Sequence, residues 1–232
     1  AIYHQIDSIS YLASDYFIPN EYDKLMSFIG SEGTNAYTST DMTVYVEQIP
    51  SNQIENWARI QADRFANPVI RGFHTELETV YEEKNMSLTK DFRKALEAMD
   101  GMLFPDHPYG TQTVLGTQEH LKNPSITNIK NYQKTYYVPN NMAICLSGDF
   151  NPDEMVAVIE KYFGQMQPNK DLPEITLATS SVIESPVEKD VYGLDAENIM
   201  IGWKYPGAKS EDALVAEVAA SVLYNGSAGL ID

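Results

Sequence analysis

The stretch 142–164, "MAICLSGDFNPDEMVAVIEKYFG", constrains the fold more than any other part of the chain. Its first half alternates, with Met142, Ile144 and Leu146 on one side of an extended segment. Its second half is a helix punctuated at both ends. Asn151 stands at the cap, Pro152 at the first helical position, Glu154 at the box position and Gly164 at the stop. Met155, Val158, Ile159 and Tyr162 form its apolar stripe. A strand running into a capped helix calls for a mixed fold.

The same mixture recurs along the chain. Residues 1–12 carry Ile2, Ile6, Ile9 and Leu12 in helical register from the first residue, with no cap before them. The chain therefore reads as a piece of a longer one. A short helix with Leu25, Met26 and Ile29 ends at a glycine, and 34–50 is extended, with Val44 and Val46 alternating with Thr43, Tyr45 and Glu47. Ser51 caps a helix with the stripe Ile54, Trp57, Ile60 and Phe65, and a long helix then runs to about Met102. The prolines and glycines of 104–124 predict irregular structure, and Ser125 opens another helix. After a Pro- and Ser/Thr-rich stretch, 188–206 predicts paired strands and Ser210 opens a final helix.

No regular βαβ alternation is present, so the fold class expected is α+β, an antiparallel-rich sheet with helices packed on it. The domains expected are 1–168, a linker at 169–187, and the start of a second similar domain at 188–232.

Composition closes several routes. Sixteen Lys and Arg against 33 Asp and Glu give a net charge of −17, which argues against a nucleic-acid or anionic-membrane partner. No apolar run is long enough to span a bilayer. The single cysteine, Cys145, excludes an internal disulfide and reads as a buried strand thiol.

The stretch 74–87, "HTELETVYEEKNMS", holds four glutamates on one helix. At 100° per residue, Glu76 and Glu83 point within roughly 20° of each other and lie about 10.5 Å apart along the axis. Both border the sector of Leu77, Tyr81 and Leu88, whereas Glu78 and Glu82 point toward solvent. An acid at the edge of an apolar face needs a partner, which an Arg, a helix end or a metal could supply. A boundary salt bridge is the plainer explanation of the pair at this point. His74 reads as a helix-start residue, and His4, His107 and His120 show no metal-ligand spacing. The chain contains no HExxH, HxxEH, CxxC, phosphate loop or nucleophile elbow.

Four segments in order, "NAYTSTDMTVY" at 35–45, "ELETVYEEKN" at 76–85, "HPYGTQTVLG" at 107–116 and "YYVPNNMAICLSGDFNPDEMVAVIEKYFG" at 136–164, resemble the pitrilysin/insulinase family of zinc metallopeptidases, the inverzincins. Each is weak alone; four in the family's order carry the resemblance. It implies the metallohydrolase fold of the pitrilysin and mitochondrial processing peptidase type. By position, Glu83 corresponds to the family's third zinc ligand and Glu76 to its accessory catalytic acid. Asn35, Ala36 and Tyr37 correspond to an edge strand on which peptide substrates add as an extra strand.

The family's HxxEH helix is not in this sequence. The function implied is thus a fragment of a zinc-dependent endopeptidase acting on extended peptides. It is expected to be inactive alone and to hold no Zn²⁺ itself, the zinc belonging to the intact parent. The alternative is a non-catalytic half that binds substrate or partner. Expected partners are a peptide substrate and the remainder of the protein or a paired half, with a homo-oligomer the further option. The periplasm or cell envelope is the compartment suggested by analogy with bacterial members.

Overall fold

The computed structural model describes residues 2–16, 18–122, 124–176 and 178–231. Ala1, on which the reading of an interrupted first helix rests, lies outside them. Two compact units are present: Ala1–Ser87 with Val114–Leu177, and Leu88–Thr113 with Ala178–Asp232.

In the first unit, helices α1 (Ile2–Ser14) and α2 (Glu21–Phe28) precede a hairpin of β1 (Gly33–Thr38) and β2 (Thr43–Gln48). There follow α3 (Ile54–Ala66) and α4 (Phe73–Leu88), which reaches the second unit at its last residue. The second unit continues with α5 (Asp91–Leu103) and the short α6 (Pro108–Thr111). Helices α7 (Gln118–Lys122), α8 (Ile126–Tyr136) and α9 (Pro152–Phe163) return to the first unit, and α10 (Glu211–Leu223) belongs to the second.

The class is α+β, as expected, with a sheet that is antiparallel and two-stranded among the described residues. The first unit's core centres on Met26, Trp57 and Ala58, with Leu146 from the predicted strand and Val158, Ile159 and Phe163 of α9 packed against it. Trp57 and Phe163 bring their rings to 6.4 Å. The apolar stripes read on α3 and α9 therefore meet each other.

Three predicted caps form. Ser125 Oγ accepts the Asn128 N–H at 3.2 Å, Asn151 Oδ1 that of Asp153 at 3.0 Å, and Ser210 Oγ that of Ala213 at 3.1 Å. Each satisfies a donor that the helix cannot, an effect of about 1 kcal/mol. Ser51 instead begins a single 3₁₀ turn, and Gln53 precedes α3 with no side-chain cap.

Four other expectations change. Residues 142–148 and 188–205 form no strand, because among the described residues no neighbouring segment takes up their backbone hydrogen bonds. Cys145 is exposed rather than buried. The long helix expected to reach Met102 is broken after Leu88, where Lys90 takes extended backbone angles of φ −88° and ψ 116°. Restarting at Asp91 leaves that carboxylate free to accept the N–H groups of Leu194 and Asp195 and the Lys94 ammonium, the last at 2.7 Å. A Cβ at Gly193 would overlap the same carboxyl, so a larger residue there would displace Asp91 from these bonds. Finally, 104–124 is not wholly irregular. Pro108 starts α6, whose first turn is closed by His107 Nδ1 accepting the Tyr109 N–H at 3.1 Å.

Candidate functional site

The hairpin pairs Gly33 with Gln48 through Thr38 with Thr43. Beyond its last pair, the Ser39 N–H donates to the Met42 carbonyl at 2.8 Å. Because bonded pairs recur every second residue in an antiparallel ladder, Tyr37 and Asn35 direct their backbone groups to β2. Thr34, Ala36 and Thr38 direct theirs to the opposite edge, where no further strand lies among the described residues. One donor on that edge is already engaged: the Ala36 N–H donates to Asn35 Oδ1 at 2.8 Å. Asn35 and Ala36 are exposed, as is the Tyr37 side chain.

Glu76 and Glu83 both lie on α4 and both are exposed. Neither carboxylate makes a hydrogen bond or ion pair among the described residues, so the boundary salt bridge does not form there. The one buried residue described on α4 is Lys84, at 4% exposure, which turns a position between Tyr81 and Leu88 inward. Glu78 and Glu82, expected to face open solvent, are exposed but flank a groove with Leu77, Tyr81, Leu121 and Lys122. No hydrogen bond or ion pair among the described residues joins Asn35, Ala36 or Tyr37 to Glu76 or Glu83. A protein zinc centre takes at least three side-chain ligands. Among the described residues no three His, Cys, Asp or Glu converge, so they supply single carboxylates rather than a zinc-holding set.

One buried polar cluster gave no motif in the sequence. Glu47 Oε1 accepts from the Tyr22 hydroxyl at 2.8 Å and from Gln61 Nε2 at 2.8 Å, and the same Gln61 nitrogen donates to the Tyr22 hydroxyl at 2.7 Å. The Arg64 guanidinium lies 4.1 Å from the Tyr22 ring centre and 4.6 Å from that of Tyr45. Burial, reinforced by the hydrogen bond to Glu47, pushes the Tyr22 phenol up to about 12. Burial and the Tyr137 hydroxyl do the same for Tyr45, also to about 12.

The strand's inward face therefore carries Tyr45 and Glu47, while Val46 is 48% exposed. The sequence signal was the i, i+2 spacing of Tyr45 and Glu47.

Comparison with known proteins adds the following. Residues 125–231 match the family model described as the peptidase M16 inactive domain. Zinc protease PqqE of Helicobacter pylori is 23% identical over 97% of this chain and 52% of its own length. A probable mitochondrial-processing peptidase subunit beta of Schizosaccharomyces pombe is 28% identical over 59% of this chain and 30% of its own. The chain thus spans about a third to about half of these relatives. The periplasmic protease PqqL from Escherichia coli superposes with a TM-score of 0.62 over 69% of this chain and 19% of its own, at 19% identity, a likeness of fold.

Proposed function

From the match of residues 125–231 to a peptidase M16 domain and the likeness of nearly the whole chain to a zinc protease, we propose that it forms part of the substrate-binding wall and zinc centre of a zinc-dependent endopeptidase that acts on extended peptides. The observation that carries this reading is the open edge of β1, with the backbone groups of Ala36 turned away from β2. An extended peptide can add there as a further antiparallel or parallel strand, recognised mainly through its main chain. In this reading Ala36 binds substrate through its main chain. Asn35 and Tyr37 flank it on the same strand, with the Asn35 carboxamide covering the Ala36 N–H until a peptide displaces it. Glu83 contributes a carboxylate to the metal, and Glu76 is the accessory acid about two helical turns away.

The remaining ligands come from outside the described residues, so the chain alone neither holds zinc nor cleaves peptides. Residues 1–168 make the peptidase-like domain, 169–187 the link, and 188–232 the start of its second copy. The partner is the rest of the same protein or a paired half, and the periplasm is the proposed compartment, by analogy with the Escherichia coli neighbour. No helix among the described residues is long and apolar enough to cross a membrane.

A second reading follows from the match of 125–231 to a domain described as inactive. Here the chain lines a chamber opposite a catalytic half. The test is zinc content and cleavage of an internally quenched extended peptide by the full-length parent. Glu83→Gln should lower zinc stoichiometry and activity together, whereas Ala36→Pro should lower cleavage with zinc retained. A Glu83→Gln protein that keeps both overturns the catalytic reading in favour of the second.

A further inference from the structure

The Arg64 guanidinium is exceptionally well fixed for a surface arginine. Tyr22 and Tyr45 both lie against it, and Nη1 donates to Gln61 Oε1 at 3.4 Å. Glu47 stands 3.9 Å from the same nitrogen, too far for a hydrogen bond, and spends that oxygen on Tyr22 and Gln61. The nearest carboxylate therefore anchors the arginine without occupying its fork. Nε and Nη2 make no hydrogen bond among the described residues, and the side chain is 33% exposed.

Arg64 lines a cavity of about 190 Å³ within the first unit. Gln133, Tyr45 and Tyr137 are the other polar residues of its lining, and the two tyrosine hydroxyls lie 3.3 Å apart. Only one of the two hydroxyls can donate to the other, so the acceptor's own hydrogen remains for a third group. The Gln133 carboxamide likewise makes no hydrogen bond among the described residues. Phe65 and Ile70 contribute to the apolar remainder.

A planar fork with free N–H groups, flanked by a phenol donor and a carboxamide, matches the two oxygens of a carboxylate. The volume lies below the usual range for drug-sized ligands and suits a compact body of a few carbons. We propose that this cavity binds the carboxylate of a small apolar acid, of the kind presented by leucine-like acids or by a peptide that ends in leucine. Its lining includes neither Glu76 nor Glu83, although Tyr45 pairs with Ala36 across the hairpin, and the proposal does not depend on the peptidase reading. With a chain net charge of −17, selectivity rests on the local fork rather than on long-range attraction.

The test is calorimetric titration of the chain at neutral pH with N-acetyl-leucine, N-acetyl-leucinamide and the tripeptide Ala-Ala-Leu. The acid should bind at least about tenfold more tightly than the amide, because only the acid offers the bidentate acceptor. Binding of the tripeptide as well assigns the site to peptide C-termini; binding of the acid alone assigns it to free acids, and both results support the proposal. Arg64→Lys should weaken the acid about tenfold, since an ammonium cannot reproduce the fork. Replacing both phenols, Tyr45→Phe with Tyr137→Phe, keeps the ring that stacks on Phe65 at 6.2 Å and should weaken binding several-fold even if the arginine variant fails to fold. Equal binding of acid and amide, binding of neither, or unchanged affinity in the double phenylalanine variant overturns it.

Discussion

Asn35 holds the backbone N–H of Ala36 with its own carboxamide oxygen, at 2.8 Å, on the strand edge that faces away from β2. An unpaired edge donor invites another strand, and here the side chain next door answers it. Any peptide that adds to this edge must displace the carboxamide first.

Asn35→Ala should therefore raise the affinity of a fluorescein-labelled extended peptide by about threefold to tenfold, the worth of one net hydrogen bond of ~0.5–1.5 kcal/mol. Fluorescence anisotropy reads this directly. A fall in affinity would mean that the Asn35 side chain holds the peptide rather than competing with it.

Gln61 is 2% exposed and its Nε2 serves both Tyr22 and Glu47. Gln61→Leu leaves a buried carboxylate and a phenol short of a partner, at a cost of about 2–3 kcal/mol. Urea denaturation followed by tryptophan fluorescence should show a lower midpoint with the slope unchanged. An unaltered midpoint would show that water replaces the carboxamide without loss.

The raised tyrosines set an alkaline limit. In the folded state the neutral phenols of Tyr22 and Tyr45 are favoured, up to about 12, against 10.0 for a free tyrosine side chain. The folded chain thus holds these protons more tightly. Their contribution is complete below pH 10 and is lost as pH rises from there through about 12. Titration at 295 nm should show a late ionisation phase, and Tyr22→Phe should shrink it. A single phase near the unperturbed value would refute the burial argument.

Asp91 sets an acid limit in the second unit. The Lys94 ammonium, followed by the N–H groups of Asp195 and Leu194, lowers its carboxyl from 3.8 to about 2. A depressed acid contributes fully above its unfolded value and loses that contribution as pH falls through about 2. The amide proton shifts of Leu194 and Asp195 should stay constant down to about pH 4 and move with a midpoint near 2. Asp91→Asn should abolish the transition. A midpoint near 3.8 would mean that the loop does not rest on this carboxylate.

Much of the fold was legible because it is written within a few residues. Ser125, Asn151 and Ser210 cap their helices through bonds that span two or three positions, and the stripe of α9 repeats inside one helix. The coincidence of Glu76 and Glu83 on one side of α4 is likewise a matter of helical pitch alone. What those carboxylates face was not legible. Lys84 occupies the buried position, and that depends on what packs over the helix.

Taken by itself, then, the sequence determined the capped starts of α8, α9 and α10, the mixed class and the shared side of Glu76 and Glu83, since each follows from local geometry. Tertiary structure decided that Tyr45 and Glu47 turn inward while Val46 stays exposed, because Gln61 and Arg64 of α3 supply their partners. It decided the break before Asp91, whose carboxylate is claimed by backbone a hundred residues away. It also decided that 142–148 runs without a ladder: a strand exists only where a second segment accepts its hydrogen bonds, and no local pattern of side chains can provide that.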